Sequence, residues 1–551
     1  MKYDICIVGS GAGGAPIAYE LSNAGYKVVV LEKGPYLREK DFSKDEIAVS
    51  RRDIYTPLLK DEQHVINDID EDGTATRYLG SEYNWSFWNG SMVGGSSNLM
   101  SGYFHRMKPN DFRLKSKYGT IKGANIVDWP ISYEDLEPYY DKVEEIVGVS
   151  GKVVKHKFLE PRTEDKFPYE MLEVNAATKW FDDACKINGY KSIPTPRAIL
   201  PKNTLGRNGC SYSNFCGSYG CSTGAKGSAR AALLQKCKAK IIPNAFVYKL
   251  DSDEVNVTKA YYYDENKKSH TIEAKIFVVA AQAIETSRLL LNSKNFHYPN
   301  GLANSSGQVG KNLIFSAGGT GSGRLRFENL DKKQQKELME PGLFFNRSLQ
   351  DWYEFDKSGK KYKGGTIDFL FEHANIISRA SREMYDDGEL IWGEKLQEKI
   401  HKNLTTARVL TFEVFNDWLP TDYCNVTIDD KVKDKYGVNV GVINLYSHPQ
   451  DVKIGEYLAK KAKTVLEHMG AEDIEVNISS SPPPNLVAGG CRFGINPKTS
   501  VLDLNCKTHE LNNLYVADAS FMPTGGSVPY TWTIYANSFR VADAILDKLE
   551  A

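Results

Sequence analysis

The segment from Gly9 to Gly14 constrains the fold of this chain more than any other part of its sequence. Its residues, GSGAGG, fill the pattern G-x-G-x-x-G; they follow an apolar run at 3–8 and precede apolar residues at helical spacing that stop at Gly25. A second apolar run, 27–31, leads to Glu32. A strand, a glycine turn, a helix and another strand, in this order, predict a βαβ unit that binds a dinucleotide.

Each glycine of the motif has its own expected role. Gly9 permits the tight turn, Gly11 lets the backbone approach a pyrophosphate, and Gly14 lets the helix pack on the strand. The amino terminus of the helix offers free N–H groups to the phosphates. Glu32 is expected to accept hydrogen bonds from the ribose hydroxyls, which disfavours NADP because its 2′-phosphate would meet a carboxylate. The motif does not distinguish FAD from NAD.

The rest of the predicted parallel sheet lies far along the chain. Apolar strands are expected at 276–280 and 513–518, and helices at 284–291 and from about 533 to 549. We therefore predict an α/β fold, α+β overall: a Rossmann-like domain that is discontinuous in sequence, and a second substrate-binding domain. The predicted ranges are 1–126, 204–325 and 481–551 for the dinucleotide-binding domain, and 127–203 and 326–480 for the substrate-binding domain.

Composition limits the classes of partner. The 69 Lys and Arg nearly balance the 70 Asp and Glu, and a net charge of −1 does not favour nucleic acid or an anionic membrane. No run of about 18 apolar residues occurs, so we expect no membrane segment. The first strand starts right after Met1 and leaves no room for a cleavable signal peptide. We predict a cytoplasmic location, with export alongside a signal-bearing partner as the alternative.

Further motifs along the chain resemble those of one known family, the glucose-methanol-choline (GMC) oxidoreductases, over most of their length and in the same order. They occupy residues 93–98, 281–291, 310–313, 489–494, 499–503, 513–520 and 523–524. The resemblance implies FAD as the cofactor. It also implies a second domain in which an antiparallel sheet backed by helices covers the flavin and forms the substrate pocket.

The resemblance also implies which residues contact the cofactor. The expected FAD contacts are Gly9, Gly11, Gly14, Glu32, Gly95, Ser96, Asn98, Val247, Asp518 and Ala519. Some members of the family attach their flavin through a histidine after the glycine-serine loop. Leu99 is near that place here, so FAD is expected to be noncovalent.

The positions that resemble the family's proton-transfer histidines hold other residues. Leu486 and Pro529 stand there, and neither can carry a proton. A shift of one residue would bring Asn485 and Tyr530 to the flavin, and these are the predicted catalytic residues. The alternatives are a base from the substrate domain, His373 or His448, and a flavoprotein with other chemistry.

The cysteines permit one further hypothesis. Nine cysteines, an odd number, predict reduced thiols. Cys210, Cys216 and Cys221 lie within twelve residues and resemble the iron–sulfur loop of FAD sugar dehydrogenases that pass electrons to a cytochrome. Residues 224–228 match relatives without a cluster better, so our prediction is no metal, with the cluster as a minority hypothesis.

These observations predict an FAD-dependent oxidoreductase that acts on the CH–OH group of a sugar, polyol or other alcohol and passes the hydride to flavin N5. The alternatives are a lyase or decarboxylase, and an FAD-bearing electron-transfer subunit of a dehydrogenase complex. An electron-acceptor partner subunit is an open possibility. The sequence leaves open the substrate, the electron acceptor, and oxidase or dehydrogenase behaviour.

Overall fold

The structure is a computed structural model of the 551-residue chain. It describes residues 2–49, 63–82, 90–316, 318–340, 344–478, 481–484 and 486–551.

The described residues form strands and helices in a mixed order along the chain. The strands are β1 Tyr3–Val8, β2 Val28–Leu31, β3 Val65–Ile69, β4 Ala75–Leu79, β5 Ser150–Gly151, β6 Tyr169–Glu170, β7 Ser192–Pro194, β8 Lys240–Ile242, β9 Phe246–Ser252, β10 Val257–Tyr263, β11 Ser269–Ile272, β12 Ala274–Val279, β13 Lys311–Ile314, β14 Gly319–Arg326, β15 Arg347–Leu349, β16 Glu354–Lys357, β17 Lys360–Lys363, β18 Gly365–Phe371, β19 Tyr385–Asp386, β20 Glu389–Leu390, β21 Ala407–Asn416, β22 Asn425–Lys433, β23 Asn439–Leu445, β24 Glu472–Asn477, β25 Ala488–Gly490 and β26 Leu514–Val516. The α-helices are α1 Gly14–Asn23, α2 Glu46–Val49, α3 Leu114–Tyr118, α4 Tyr133–Val143, α5 Ala177–Ile187, α6 Ala229–Ala232, α7 Ala283–Asn292, α8 Lys332–Met339, α9 Ile376–Arg382, α10 Gly393–Thr405, α11 Pro449–His468 and α12 Thr531–Glu550. None of the helices within these ranges combines the length and apolar composition that a bilayer span requires.

A five-stranded parallel sheet carries the glycine motif. Its strand order is β26-β12-β1-β2-β8, so strands from both ends of the chain and from its middle lie side by side. Strands β1 and β2 are buried along almost their whole length, which explains their continuous apolar runs. The predicted Rossmann-like sheet, discontinuous in sequence, is confirmed.

A second sheet is antiparallel. Its order is β24-β14-β21-β18-β15-β7. Alternate residues of β18 and β21 pack on the apolar face of α11, where Phe369, Phe412 and Leu458 are fully buried. The opposite face of these two strands is left for the site described below.

A four-stranded sheet lies beside the parallel sheet. Its order is β22-β23-β3-β4, and it packs on α7 through Ile284, Val426 and Ile443. Helix α4, which the predicted ranges place in the substrate domain, packs on α12 in the main core. The boundaries between the two domains stay a prediction.

Candidate functional site

One cavity runs from the glycine motif to the uncovered face of the antiparallel sheet. Its volume is about 390 Å³. At one end it is lined by Gly9, Gly11, Glu32, Val247 and Asp518, and at the other by Tyr103, His373, Glu413, Phe415, Pro529 and Tyr530. The dinucleotide motif and the face of the second sheet therefore belong to a single site.

The motif glycines differ in what surrounds them. Gly9 has a φ of +97°, and a Cβ there would lie 2.2 Å from the carbonyl oxygen of Ala280. A Cβ on Gly14 would lie 2.1 Å from the carbonyl oxygen of Gly9, so this residue allows helix and strand to touch. A Cβ on Gly11 would meet only the Cα of Gly95, at 3.9 Å, because Gly11 faces the cavity. Close packing explains Gly9 and Gly14, and ligand approach explains Gly11.

This difference gives a paired prediction. Gly11→Ala should fold normally and lower FAD affinity at least about tenfold, since its methyl group enters the space of the ligand and 1.4 kcal/mol is a factor of ten. Gly14→Ala should instead destabilise the fold by about 1–3 kcal/mol through overpacking. FAD titration of the refolded apoprotein and urea unfolding measure the two effects. A Gly11→Ala protein that unfolds as readily as Gly14→Ala would contradict the assignment of Gly11 to ligand approach.

Glu32 lies at the end of β2 with both carboxylate oxygens engaged. One accepts from the backbone N–H of Gly34 at 2.9 Å, and the other from the backbone N–H of Ser10 at 3.1 Å and from the Ser10 hydroxyl. Burial raises the pKa of this carboxyl above its ordinary value, although the Ser10 and Gly34 donors oppose that rise. Glu32 is thus fixed at the cavity wall, where a carboxylate can receive ribose hydroxyls.

Asp518 connects the end of β26 with the end of β12 and with helix α7. Its carboxylate accepts from the backbone N–H of Gln282 at 3.1 Å, from that of Ser520 at 2.9 Å, and from the Thr286 hydroxyl. Gln282 has a φ of +84° and caps α7 with its own side chain. The amino ends of α1 and α7 both border the cavity.

The other expected cofactor contacts divide into two groups. Gly95, Ser96, Val247 and Ala519 line the cavity, whereas Gly14 and Asn98 do not. The Asn98 amide donates to the carbonyl oxygens of Val93 at 2.9 Å and Gly95 at 3.1 Å, so it shapes the loop behind the wall.

The two predicted catalytic residues have different outcomes. Asn485 lies outside the described residues. Tyr530 lines the cavity and is 1% exposed, but its hydroxyl donates to the carbonyl oxygen of Leu486. Burial raises the pKa of this phenol well above its ordinary value, with the charge of Asp417 adding to the effect. Tyr530 is therefore a weak acid whose hydroxyl is already bound to the backbone of Leu486.

The two histidine alternatives are also placed differently. His373 lines the cavity close to Gly217, where a Cβ would lie 2.3 Å from its Nε2. His448 is the N-cap of α11: its Nδ1 accepts from the backbone N–H of Gln450 at 3.1 Å, and its Nε2 lies 3.0 Å from the carbonyl oxygen of Lys122. His448 has a structural role away from the cavity.

Sequence reasoning missed Glu413. This residue of β21 lies on the same strand face as Phe415 and lines the cavity, and its carboxylate accepts no hydrogen bond from any residue that the structure describes. Burial raises its pKa to about 7, the charge of Asp368 adds to the rise, and Arg197 opposes it. An isolated acid in an alternating apolar strand was the available signal, but it did not reveal which face would border the flavin site.

Two more polar groups near this end of the cavity lack partners. The Tyr103 hydroxyl and the Nη2 of Arg197 are buried without a hydrogen bond to the described part of the chain. The Arg197 guanidinium lies over the Tyr103 ring, 4.4 Å from its centroid. Groups left unpaired beside a cavity are suited to bind a hydroxylated ligand.

The cysteine hypothesis gains no support. Cys210, Cys216 and Cys221 pack on a small apolar cluster around Ile199 and Phe344, and all nine cysteines are free thiols. Over the ranges that the structure describes, no group of three His, Cys, Asp or Glu side chains is placed to hold a metal ion. The buried ammonium of Lys226 occupies this region and donates to the carbonyl oxygens of Cys216 and Tyr219, both at 2.9 Å.

Sequence profiles of known families match this chain in three places. Two profiles described as GMC oxidoreductase match residues 69–316 and 420–538. A profile described as an NAD(P)-binding Rossmann-like domain matches residues 7–40, which contain the glycine motif and Glu32.

Three similar proteins match along nearly their full length. The fructose dehydrogenase large subunit of Gluconobacter japonicus is 28% identical over 100% of this chain and 99% of its own. The 2-methyl-1,2-propanediol dehydrogenase of Mycolicibacterium austroafricanum is 29% identical over 98% and 95%, and the paromamine 6′-oxidase of Streptomyces fradiae 27% over 99% and 92%.

Solved structures share the fold. Pyridoxine 4-oxidase from Mesorbium loti has a TM-score of 0.61 at 16% identity, with 99% of each chain covered. A formate oxidase variant from Aspergillus oryzae has a TM-score of 0.64 at 14% identity, covering 99% of this chain and 98% of its own.

Proposed function

This chain belongs to the GMC oxidoreductase family, and we therefore propose that it is an FAD-dependent enzyme that oxidises the CH–OH group of a sugar, a polyol or another alcohol. The observation that carries the proposal is the single cavity that joins the dinucleotide motif to a polar pocket under the antiparallel sheet.

The residues at the first end of the cavity fit FAD. Gly11 leaves room for a pyrophosphate, Glu32 offers a carboxylate to the ribose, and α1 points its amino end at the wall between them. Bound FAD supplies the acceptor for a hydride leaving the alcohol carbon.

At the second end, apolar residues meet a few polar groups. Phe415, Leu486 and Tyr103 pack together and limit the access of water to the pocket. Ser101 and Ser218 also line it and can bond substrate hydroxyls. An apolar pocket with a few polar groups suits a small hydroxylated molecule.

We propose that FAD is held without a covalent bond. Leu99 lines the cavity and is 1% exposed, and its side chain has no atom that could bond to the isoalloxazine ring. Acid precipitation of the holoprotein should leave the flavin in the supernatant. Flavin that stays with the pellet would contradict this part of the proposal.

The oxidation itself is tested by anaerobic titration of the purified holoprotein. Fructose, 2-methyl-1,2-propanediol and paromamine are the probes, because each appears in the name of a similar protein. We expect at least one to bleach the oxidised flavin bands stoichiometrically. If these probes and a wider panel of alcohols all fail to bleach the flavin, the proposal of alcohol oxidation is replaced by that of a lyase or decarboxylase.

We also propose that the electrons leave through a separate acceptor in the cytoplasm. Two similar proteins are named as the large subunit and the flavoprotein of dehydrogenases, which supports an acceptor partner subunit. Expression of the chain alone, followed by cell fractionation and dye-linked assay, tests both points. Activity found only in an exported fraction with a copurifying protein would favour the export alternative.

A further inference from the structure

We infer that Glu413 is the catalytic base that takes the proton from the substrate hydroxyl. This inference rests on the proposed function and names the group that replaces the histidines absent at Leu486 and Pro529. Leu486 and Pro529 line the same cavity as Glu413, so Glu413 lies in the site where the family's histidines would accept the proton.

The sheet fixes the direction of the Glu413 side chain. Along β21, Phe412 and Val414 are buried against α11, so Glu413 and Phe415 point to the other face. Phe415 on that face packs with Tyr103 and Leu486 at the cavity. Glu413 keeps a partly exposed carboxylate only because it borders this space.

Charged and polar groups face Glu413 from every neighbouring element. Asp368 on β18 and Thr320 on β14 stand opposite it in register. Asp368 accepts from the Ser348 hydroxyl, and its carboxylate lies 3.0 Å from Nε2 of His105. Arg197 and Tyr103 lie near enough to interact with the Glu413 charge, and His373 lines the same cavity.

This environment suits a base that works near neutral pH. Burial and the Asp368 charge place the pKa of Glu413 at about 7, well above an ordinary glutamate. A carboxylate with such a pKa binds a proton more readily than an exposed one and is still half ionised at pH 7. Tyr530 is a weaker candidate because its phenol is already hydrogen-bonded and its pKa is raised well above 10.

The step balances with the groups already named. The O–H bond of the alcohol breaks, and its proton passes to a carboxylate oxygen of Glu413. The electron pair of that bond becomes the second bond of the carbonyl, while the hydride leaves the carbon for the acceptor that the proposed function supplies. The alcohol loses two electrons and two hydrogens, one of them as the proton now on Glu413.

The first test is the rate of anaerobic flavin reduction in Glu413→Gln, with whichever named probe bleaches the wild type. We expect a loss of about 10²- to 10⁴-fold at pH 8 with unchanged FAD content. The wild-type rate should rise with pH through about 7 and then level off, because the base must be ionised. The rate of Glu413→Gln should not show this rise with pH, which is called the pH step. Glu475→Gln, an exposed carboxylate on β24 of the same sheet, is the matched control.

A second readout needs neither substrate nor cofactor. Infrared pH-difference spectra of the FAD-free protein should show a protonated carboxyl group titrating near pH 7 that Glu413→Gln removes. Burial also raises the pKa of Asp417 to about 7. The spectra of Asp417→Asn therefore show which part of the titration signal comes from Asp417. Glu413→Asp keeps a carboxylate and should restore part of the rate and the pH step.

The outcomes separate the two proposals. If no probe bleaches the wild type while the infrared titration is assigned to Glu413, the proposed oxidation fails and Glu413 remains a titrating cavity carboxyl without a proton to take. If a probe bleaches the wild type and Glu413→Gln keeps both rate and pH step, the base is not Glu413. Loss of the step in Tyr530→Phe alone would give the role to Tyr530.

Discussion

Replacing Trp129 by alanine is expected to lower the free energy of unfolding by about 3–5 kcal/mol, the range found when a large aromatic side chain is removed from a core. Trp129 is 2% exposed, and its ring centroid lies 4.9 Å from that of Phe112 and 5.6 Å from that of Phe521. Its indole N–H donates to the Thr524 hydroxyl at 2.8 Å, so the substitution also leaves a buried hydroxyl without its donor.

Urea unfolding of the wild type and the variant measures this loss. Trp392→Ala is the matched control, because Trp392 is 81% exposed and its removal should change stability by less than about 0.5 kcal/mol. Thr524 begins the loop that carries Pro529 and Tyr530 to the cavity, so Trp129→Ala should also weaken FAD retention. Equal stabilities of the two variants would show that Trp129 does not anchor this loop.

Asp417→Asn is expected to stabilise the protein at pH 8 and leave it nearly unchanged at pH 4. Both oxygens of this buried carboxylate lack a hydrogen bond from the described residues. Burial raises its pKa to about 7, although the ammonium of Lys363 opposes the rise. The unfolded chain loses this proton near pH 4 and the folded chain near pH 7, so wild-type stability falls between these values. The loss is on the order of 4 kcal/mol.

Unfolding at pH 4, 6 and 8 tests this pH dependence. The difference in unfolding free energy between Asp417→Asn and the wild type reports on Asp417 alone, because Glu413 titrates in the same pH range in both proteins. Asp165→Asn, an exposed carboxylate, should show no such trend. A gain that is as large at pH 4 as at pH 8 would mean that the stabilisation is not a matter of ionisation.

The cofactor end of the site could be predicted from the sequence because its determinants are local. Gly9, Gly11, Gly14 and Glu32 lie within one βαβ unit, so their spacing alone relates them in space. Leu486 and Pro529, which stand at the positions that resemble the family's proton-transfer histidines, both line the cavity, and their role there stays a prediction.

The other end depends on contacts that no local pattern encodes. Glu413 meets Asp368 through strand pairing and lies near Tyr103, and these residues are far apart in the chain. The placement of α4 has the same cause: its pattern predicts a helix, but only packing on α12 decides its partner. The phenol of Tyr530 was a plausible acid or base in sequence, and its bond to the Leu486 carbonyl appears only in three dimensions.

The strand order of the parallel sheet has a consequence for biosynthesis. The edge strand β26, which pairs with β12, comes from residues 514–516, and Asp518 follows it directly. While these residues are still being translated or lie in the ribosomal exit tunnel, β12 has an unpaired edge and the amino end of α7 lacks the Asp518 carboxylate that accepts from Gln282. We therefore expect cofactor capture to follow the translation of residues 514–518, and nascent or truncated chains that lack them to expose an apolar strand edge to chaperones.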